Sequence, residues 1–284
     1  MSELSLSTLL NRTTHYSTQI IRNINGVTGL RPEDVWLTSF PRSGNSWMRI
    51  ILANVIYLTE KEGKEVDLRT LAYLLPSFGF ADLHLSWQYQ CVPRFVKTHH
   101  PFRYPFFSKP KRSVLLIRDP RDAILSYHDL AQKSKIIAFR GSISEFLRHS
   151  KYGLPAWLRH YESWQSRATV IMKYEDLRKD TVATLQQTFS ALSVEIDRQI
   201  IEEAVERSAI QRMREKEAET GLGRPDRFDS SFRAVRSGKS RSWQNEFSES
   251  DQLYFEKIFT KKHGYNYNLM DQAAPIREQI GASN

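Results

Sequence analysis

"VWLTSFPRSGNSWMRIIL", running from Val35 to Leu52, is the stretch on which the reading of the fold turns. Val35, Trp36 and Leu37 give way to a turn built from Pro41, Arg42, Ser43, Gly44, Asn45 and Ser46, and an apolar helical pattern follows directly. A strand, a short turn and a helix in that order set the unpaired first-turn N–H groups of the helix at the end of the strand. The helix dipole favours negative charge at that point, so the stretch has the make-up of an anion site. Gly44 allows close backbone approach, Ser43, Asn45 and Ser46 add hydrogen-bond donors, and Arg42 adds a permanent cation. The turn is not the triphosphate pattern G-x-x-x-x-G-K-[ST], since it has one glycine and no lysine after it.

Three more runs resemble the first strand: "RFVKTH" ending at His99, "SVLLIRD" ending at Asp119 and "ATVIMKYED" ending at Asp176. Each is almost continuously apolar before a polar end, as buried parallel strands are. Helical spacing runs through Ser46–Tyr57, Ala123–Lys133 and Leu177–Leu192. The alternation predicts an α/β fold, a parallel β-sheet flanked by helices in three layers, with ligands collecting at the carboxyl ends of the strands. Those ends read Pro41-Arg42-Ser43-Gly44, Lys97-Thr98-His99, Arg118-Asp119-Pro120-Arg121 and Tyr174-Glu175-Asp176. Brought together they make a positive cleft; left apart they are solvated surface charges. Asp119 precedes a proline and Asp176 falls in a Tyr-Glu-Asp turn, so no strand ends in a clear magnesium carboxylate and metal-free anion chemistry is expected.

The 284 residues suit one large domain, and 40% hydrophobic with 26% charged residues excludes wholesale disorder. A formal charge of +9 attracts polyanions, but no Lys/Arg run marks a basic tail, so nucleic acid is not the expected partner. Cys91 is the one cysteine, which excludes an internal disulfide and a zinc-thiolate site and fits a reducing compartment. "MRIILANVIYL" is too short to span a bilayer and "MSELSLSTLLNRTTHYS" lacks a signal-peptide pattern, so a cytoplasmic protein without stable membrane insertion is expected. Residues 1–34 read as an N-terminal helical or irregular segment packing on the core, 35–268 as the domain and 269–284 as a tail. Ile210 to Ser242 turns Gly/Ser/Arg-rich, the composition of a functional lid or a disordered insert.

"SFPRSGNSW", "VKTHHP", "VLLIRDPRDAILSY", "KYEDL" and "VRSGKSRSW", in that order between about Val35 and Phe259, resemble the cytosolic-type sulfotransferase family. That family uses 3′-phosphoadenosine 5′-phosphosulfate (PAPS) as donor and releases 3′,5′-adenosine bisphosphate (PAP), with no metal, on a P-loop-like α/β fold. The resemblance implies a phosphosulfate loop at Arg42, Ser43, Gly44, Asn45, Ser46 and Trp47, with Arg42 where the family has lysine and Asn45-Ser46 where it has two threonines. It implies an adenine platform at Trp47 and Tyr174 and a 3′-phosphate site at Arg118 and Ser126. A second clamp falls on Arg236, Ser237 and Gly238, where Ser237 replaces a lysine and Lys239 or Arg241 is a possible substitute. His99 takes the place of the general base, with Lys97 on the same face and His100 on the other; Arg42 joins them as a cation on the leaving phosphate.

The acceptor is then a small molecule, lipid or sugar bearing a hydroxyl or amine. Phe78, Phe80, Trp87, Tyr89, Phe102, Tyr104, Phe106 and Phe107 either line its pocket or belong to the core. The family's dimerisation motif is not reproduced in "WQNEFSESD". The alternatives are an ATP-dependent P-loop kinase of a small molecule and a non-catalytic nucleotide-binding protein.

Overall fold

A computed structural model describes residues 24–60, 63–66, 68–209, 211–215 and 242–263. Four strands, β1 (Val35–Ser39), β2 (Phe95–Thr98), β3 (Arg112–Ile117) and β4 (Val170–Lys173), form one parallel sheet in the order β2-β1-β3-β4. β1 is central: Val35 pairs with Phe95 on one side and Arg112 on the other, and Thr38 with Thr98 and Leu115. All five of its residues are buried, which is why its sequence is nearly continuously apolar.

The period-2 alternation of side chains divides the core into two layers. Val35, Leu37, Val114 and Leu116 pack on one face with Met48, Ile51, Leu52 and Phe189. Met48, Ile51 and Leu52 come from α1 (Asn45–Thr59) and, after α2 (Leu68–Leu74), Phe189 from α7 (Thr181–Ala191), beside which Ile201 of α8 (Arg198–Arg207) joins the same layer. Trp36, Leu115 and Ile117 pack on the other face with Ile124, Phe146, Trp157, Trp164 and Phe259. Those belong to α3 (Pro120–Lys133), α4 (Ile143–Arg148), α5 (Leu154–Gln165) and α9 (Glu249–His263). The layered parallel architecture read from the strand-helix alternation is the one observed.

Two expectations shift in detail. The helical pattern Leu177–Leu192 is two helices, α6 (Tyr174–Lys179) and α7, divided at Asp180. Asp180 leaves helical geometry and its side chain accepts the Ala183 N–H at 2.9 Å, so a new helix starts there. β4 ends at Lys173 instead of Asp176 and is an edge strand, with Ile171 38% exposed, because among the described residues only β3 pairs with it. The other departure from the pattern is a buried ion pair under the sheet's amino edge. Arg94 holds Asp34 through Nε at 2.9 Å and Nη2 at 2.7 Å while donating to the carbonyls of Leu83 and Gly29. Residues 1–23, 216–241 and 264–284 lie outside the described ones, and with them most of both flanking segments, the Gly/Ser/Arg-rich stretch, Arg236, Ser237, Gly238, Lys239 and Arg241. No described helix is long and apolar enough to cross a membrane.

Candidate active site

The turn after β1 is tight because two residues take positive φ, Arg42 at 68° and Gly44 at 98°. Gly44 is there for a second reason: a Cβ on it would come within 2.5 Å of Cδ2 of Tyr174. No side chain caps α1 and no acidic residue occupies its first turn. Its leading N–H groups therefore face outward without a built-in partner, in the field of a 15-residue helix. Ser43 is fully buried and its hydroxyl finds no partner among the described residues; Oδ1 of Asn45 is in the same position. Buried polar atoms without partners are uncommon, and here they sit beside an uncapped helix start.

The third strand end closes onto this turn. Arg42 donates through Nε to Oγ of Ser126 on α3 at 3.0 Å, and Arg118 donates through Nη1 to the Arg42 carbonyl at 3.2 Å. The Arg118 guanidinium lies 4.7 Å over the Tyr174 ring, a cation–π contact that holds both at the sheet's carboxyl edge. Trp47 and Tyr174 meet edge-on at 6.2 Å. Trp47 is further held by its indole N–H, which donates to the Ser208 carbonyl at 3.0 Å, while Asn54 donates to the Ser208 hydroxyl at 3.0 Å. This Asn54–Ser208–Trp47 lock ties the first helix to α8 and left no trace in periodicity.

On the β2 side, Nδ1 of His99 lies 2.7 Å from the Ser39 carbonyl oxygen. A carbonyl only accepts, so Nδ1 carries the proton and Nε2 presents a lone pair. Burial, then the positive charge of Lys97, hold the His99 pKa well below the ordinary histidine value, so the ring is neutral at neutral pH. Asn45 donates to the Ser39 hydroxyl at 3.1 Å, and that hydroxyl is 3.4 Å from His99 Nδ1; the turn and the histidine thus share one residue. His100 turns the other way, its ring 6.2 Å from that of Phe78 in the second core layer.

The sequence-derived positions Arg42, Ser43, Gly44, Asn45, Trp47, Arg118, Ser126 and Tyr174 are therefore linked around one turn, with His99 joined to it through Ser39 and Lys97 beside His99. Asp119 is engaged elsewhere: it caps α3 through the Arg121 N–H at 2.9 Å and holds the Arg121 guanidinium at 2.7 Å. That guanidinium lies 3.9 Å over Trp243, which docks the segment returning from residues 216–241 onto α3. Of the aromatic residues, Phe78, Tyr89 and Phe107 are core, whereas Phe80, Tyr104 and Phe106 are exposed.

Comparison with known proteins bears on the family and the fold. Residues 32–267 match the sulfotransferase domain family. Mouse sulfotransferase 4A1 is 28% identical over 190 residues, 62% of this chain and 66%, just under two thirds, of that protein. Mouse sulfotransferase 2A2 is 22% identical over 87% of this chain and 90% of its own. The crystal structure of mouse sulfotransferase SULT7A1 complexed with PAP superposes with a TM-score of 0.63 at 18% identity, covering 87% of this chain and 90% of that one.

Proposed function

The chain belongs to the sulfotransferase domain family, and from that membership we propose that it moves a sulfuryl group from PAPS to a hydroxyl or amine of an organic acceptor, releasing PAP. The observation that carries the proposal is the joining, through Ser39, of an uncapped, cation-lined helix start to a neutral histidine whose Nε2 is free of its Nδ1 hydrogen bond. The residues suit a ligand with two anionic ends. The α1 N–H groups and Ser43 Oγ offer donors for one end, and Arg118 with Ser126 for the other; Trp47 and Tyr174 supply flat surfaces between. Arg236, Ser237 and Gly238 are assigned to the second phosphate clamp from sequence alone.

When bound, the donor supplies an activated sulfuryl group on a phosphate leaving group. The chain's own part is alignment, proton removal and charge stabilisation. His99 Nε2 takes the acceptor proton, with the imidazolium held by the Ser39 carbonyl. Lys97 and Arg42 face the charge that grows on the sulfuryl oxygens and the departing phosphate. Such a division needs no carboxylate-held metal. A kinase would place a metal carboxylate near the end of β3, where Asp119 is instead committed to Arg121 and to the α3 cap.

The test is protection against thermal unfolding by PAP compared with ATP plus magnesium. At a hundred times its dissociation constant, PAP should add about 2.7 kcal/mol of stability. Protection by ATP plus magnesium alone would overturn the reading.

A further inference from the structure

From Leu83 to Arg118 the chain contains no aspartate or glutamate, while it carries Arg94, Lys97, Arg103, Lys109, Lys111, Arg112 and Arg118. The middle of this stretch is the connector from β2 to β3, which crosses β1 on its Trp36 face without a helix. Residues 103–107 make a single turn, with the Phe107 N–H donating to the Arg103 carbonyl at 3.0 Å. Phe107 points inward, its ring 5.0 Å from Trp36 and its carbonyl accepting the Trp36 indole N–H at 3.1 Å. Phe102 also turns in, 5.1 Å from Trp164, with the Arg167 guanidinium 4.6 Å over its outer face.

The same turn leaves Tyr104 78% and Phe106 55% exposed, with Arg103, Lys109 and Lys111 exposed around them. Phe78 packs on Phe107 at 4.9 Å and helps hold the turn against the core. Single exposed apolar residues are ordinary. Aromatic rings set among cations that make no ion pair with the described residues, on an anchored turn, are a different matter. Of the carboxylates bounding the stretch, Asp119 is paired with Arg121, while Asp82 accepts the His84 N–H at 2.9 Å and keeps its charge.

We infer that this face docks on an anionic lipid bilayer, with Tyr104 and Phe106 entering the headgroup boundary and Arg103, Lys109 and Lys111 meeting the lipid charge. Aromatic bodies favour that boundary, and each cation near it contributes on the order of 1 kcal/mol, about fivefold in affinity.

The experiment is sedimentation of the full chain with phosphatidylcholine vesicles, with and without phosphatidylserine, beside thermal unfolding with and without PAP. Binding is expected only with phosphatidylserine and should weaken as salt is raised. The double variants Lys109→Glu/Lys111→Glu and Tyr104→Ser/Phe106→Ser should each lower vesicle affinity tenfold or more, with PAP protection unchanged. The inference is overturned by absence of vesicle binding, by binding indifferent to phosphatidylserine or to both double variants, or by capture of a single-stranded oligonucleotide in place of vesicles. PAP protection without vesicle binding removes the docking surface and leaves the enzyme reading intact. Vesicle binding without PAP protection supports the surface and shifts the failure to the donor assignment.

Discussion

His99 holds its ring through Nδ1 and keeps Nε2 as the acceptor of a proton, which makes its replacement a clean test. His99→Ala should lower kcat by about 10² to 10⁴ with PAP affinity nearly unchanged, the range for losing general-base help. His100→Ala, on the other face, should do little; equal losses from both would remove the assignment. The depressed pKa of His99 carries a sign: the neutral, base-competent form persists below the ordinary histidine range. The acid limb of kcat/KM should accordingly fall below pH 6.5, and a limb at or above that value would mean another group is titrating. Gly44 is the second residue-scale test. Gly44→Ala adds a Cβ at positive φ and pushes it against Tyr174, so PAP binding measured by calorimetry should weaken at least tenfold. Arg42→Lys should retain activity if only the charge is needed, whereas Arg42→Ala should lose both donor affinity and turnover. The need for Gly44 was legible from its place in the turn; the ring against it was not, because Tyr174 is 130 positions away in the chain.

Helices and strand ends carry the next set of effects. The strand-helix alternation was legible because buried parallel strands and amphipathic helices have different periods. The break at Asp180 was concealed because apolar spacing continues across it; only the capping geometry divides the two helices. The Asn54–Ser208–Trp47 lock depends on α1 and α8 lying against each other, which neither helix specifies alone. Asn54→Ala should tilt Trp47 and weaken PAP more than it weakens inorganic pyrophosphate, since the ring it supports is the one proposed as the purine platform. Equal weakening of both ligands would make the lock merely structural. At the opposite edge of the sheet, Arg94→Ala leaves Asp34 buried without its bidentate partner. A loss of roughly 3 to 5 kcal/mol in urea unfolding is expected, and a loss below 1 kcal/mol would show that water replaces the pair.

The pH dependence of unfolding belongs to the whole molecule. His160 is 3% exposed beside Thr38, and burial, then the charge of His100, lower its pKa from 6.5 to about 3. Above pH 6.5 both states are neutral and the full stability is present. As pH falls from 6.5 toward 3 only the unfolded chain takes up the proton, so stability drops by about 1.4 kcal/mol per pH unit, or about 2 kcal/mol by pH 5. His99 acts in the same direction. Asp251 follows at lower pH. Burial raises its pKa, but hydrogen bonds from Ser144, Arg148 and Ser248 prevail and bring it from 3.8 to about 2, so its contribution is lost as pH falls through that window. Urea midpoints that do not change between pH 7 and pH 5 would contradict this account.

The sequence by itself determined the parallel α/β architecture and the turn proposed as the anion site. Both are local: continuous apolar runs define buried strands, and a glycine between hydroxyl and amide side chains before a helix defines the turn. It also supplied the five ordered motifs through which the family was named. Only the tertiary structure decided which nitrogen of His99 carries its proton, that Arg42 meets Ser126, and which aromatic side chains face solvent instead of the core. These are contacts between residues 60, 84 and 71 positions apart in the chain. They exist because the sheet order β2-β1-β3-β4 sets the first strand between the second and the third, and no period within one segment encodes those neighbours.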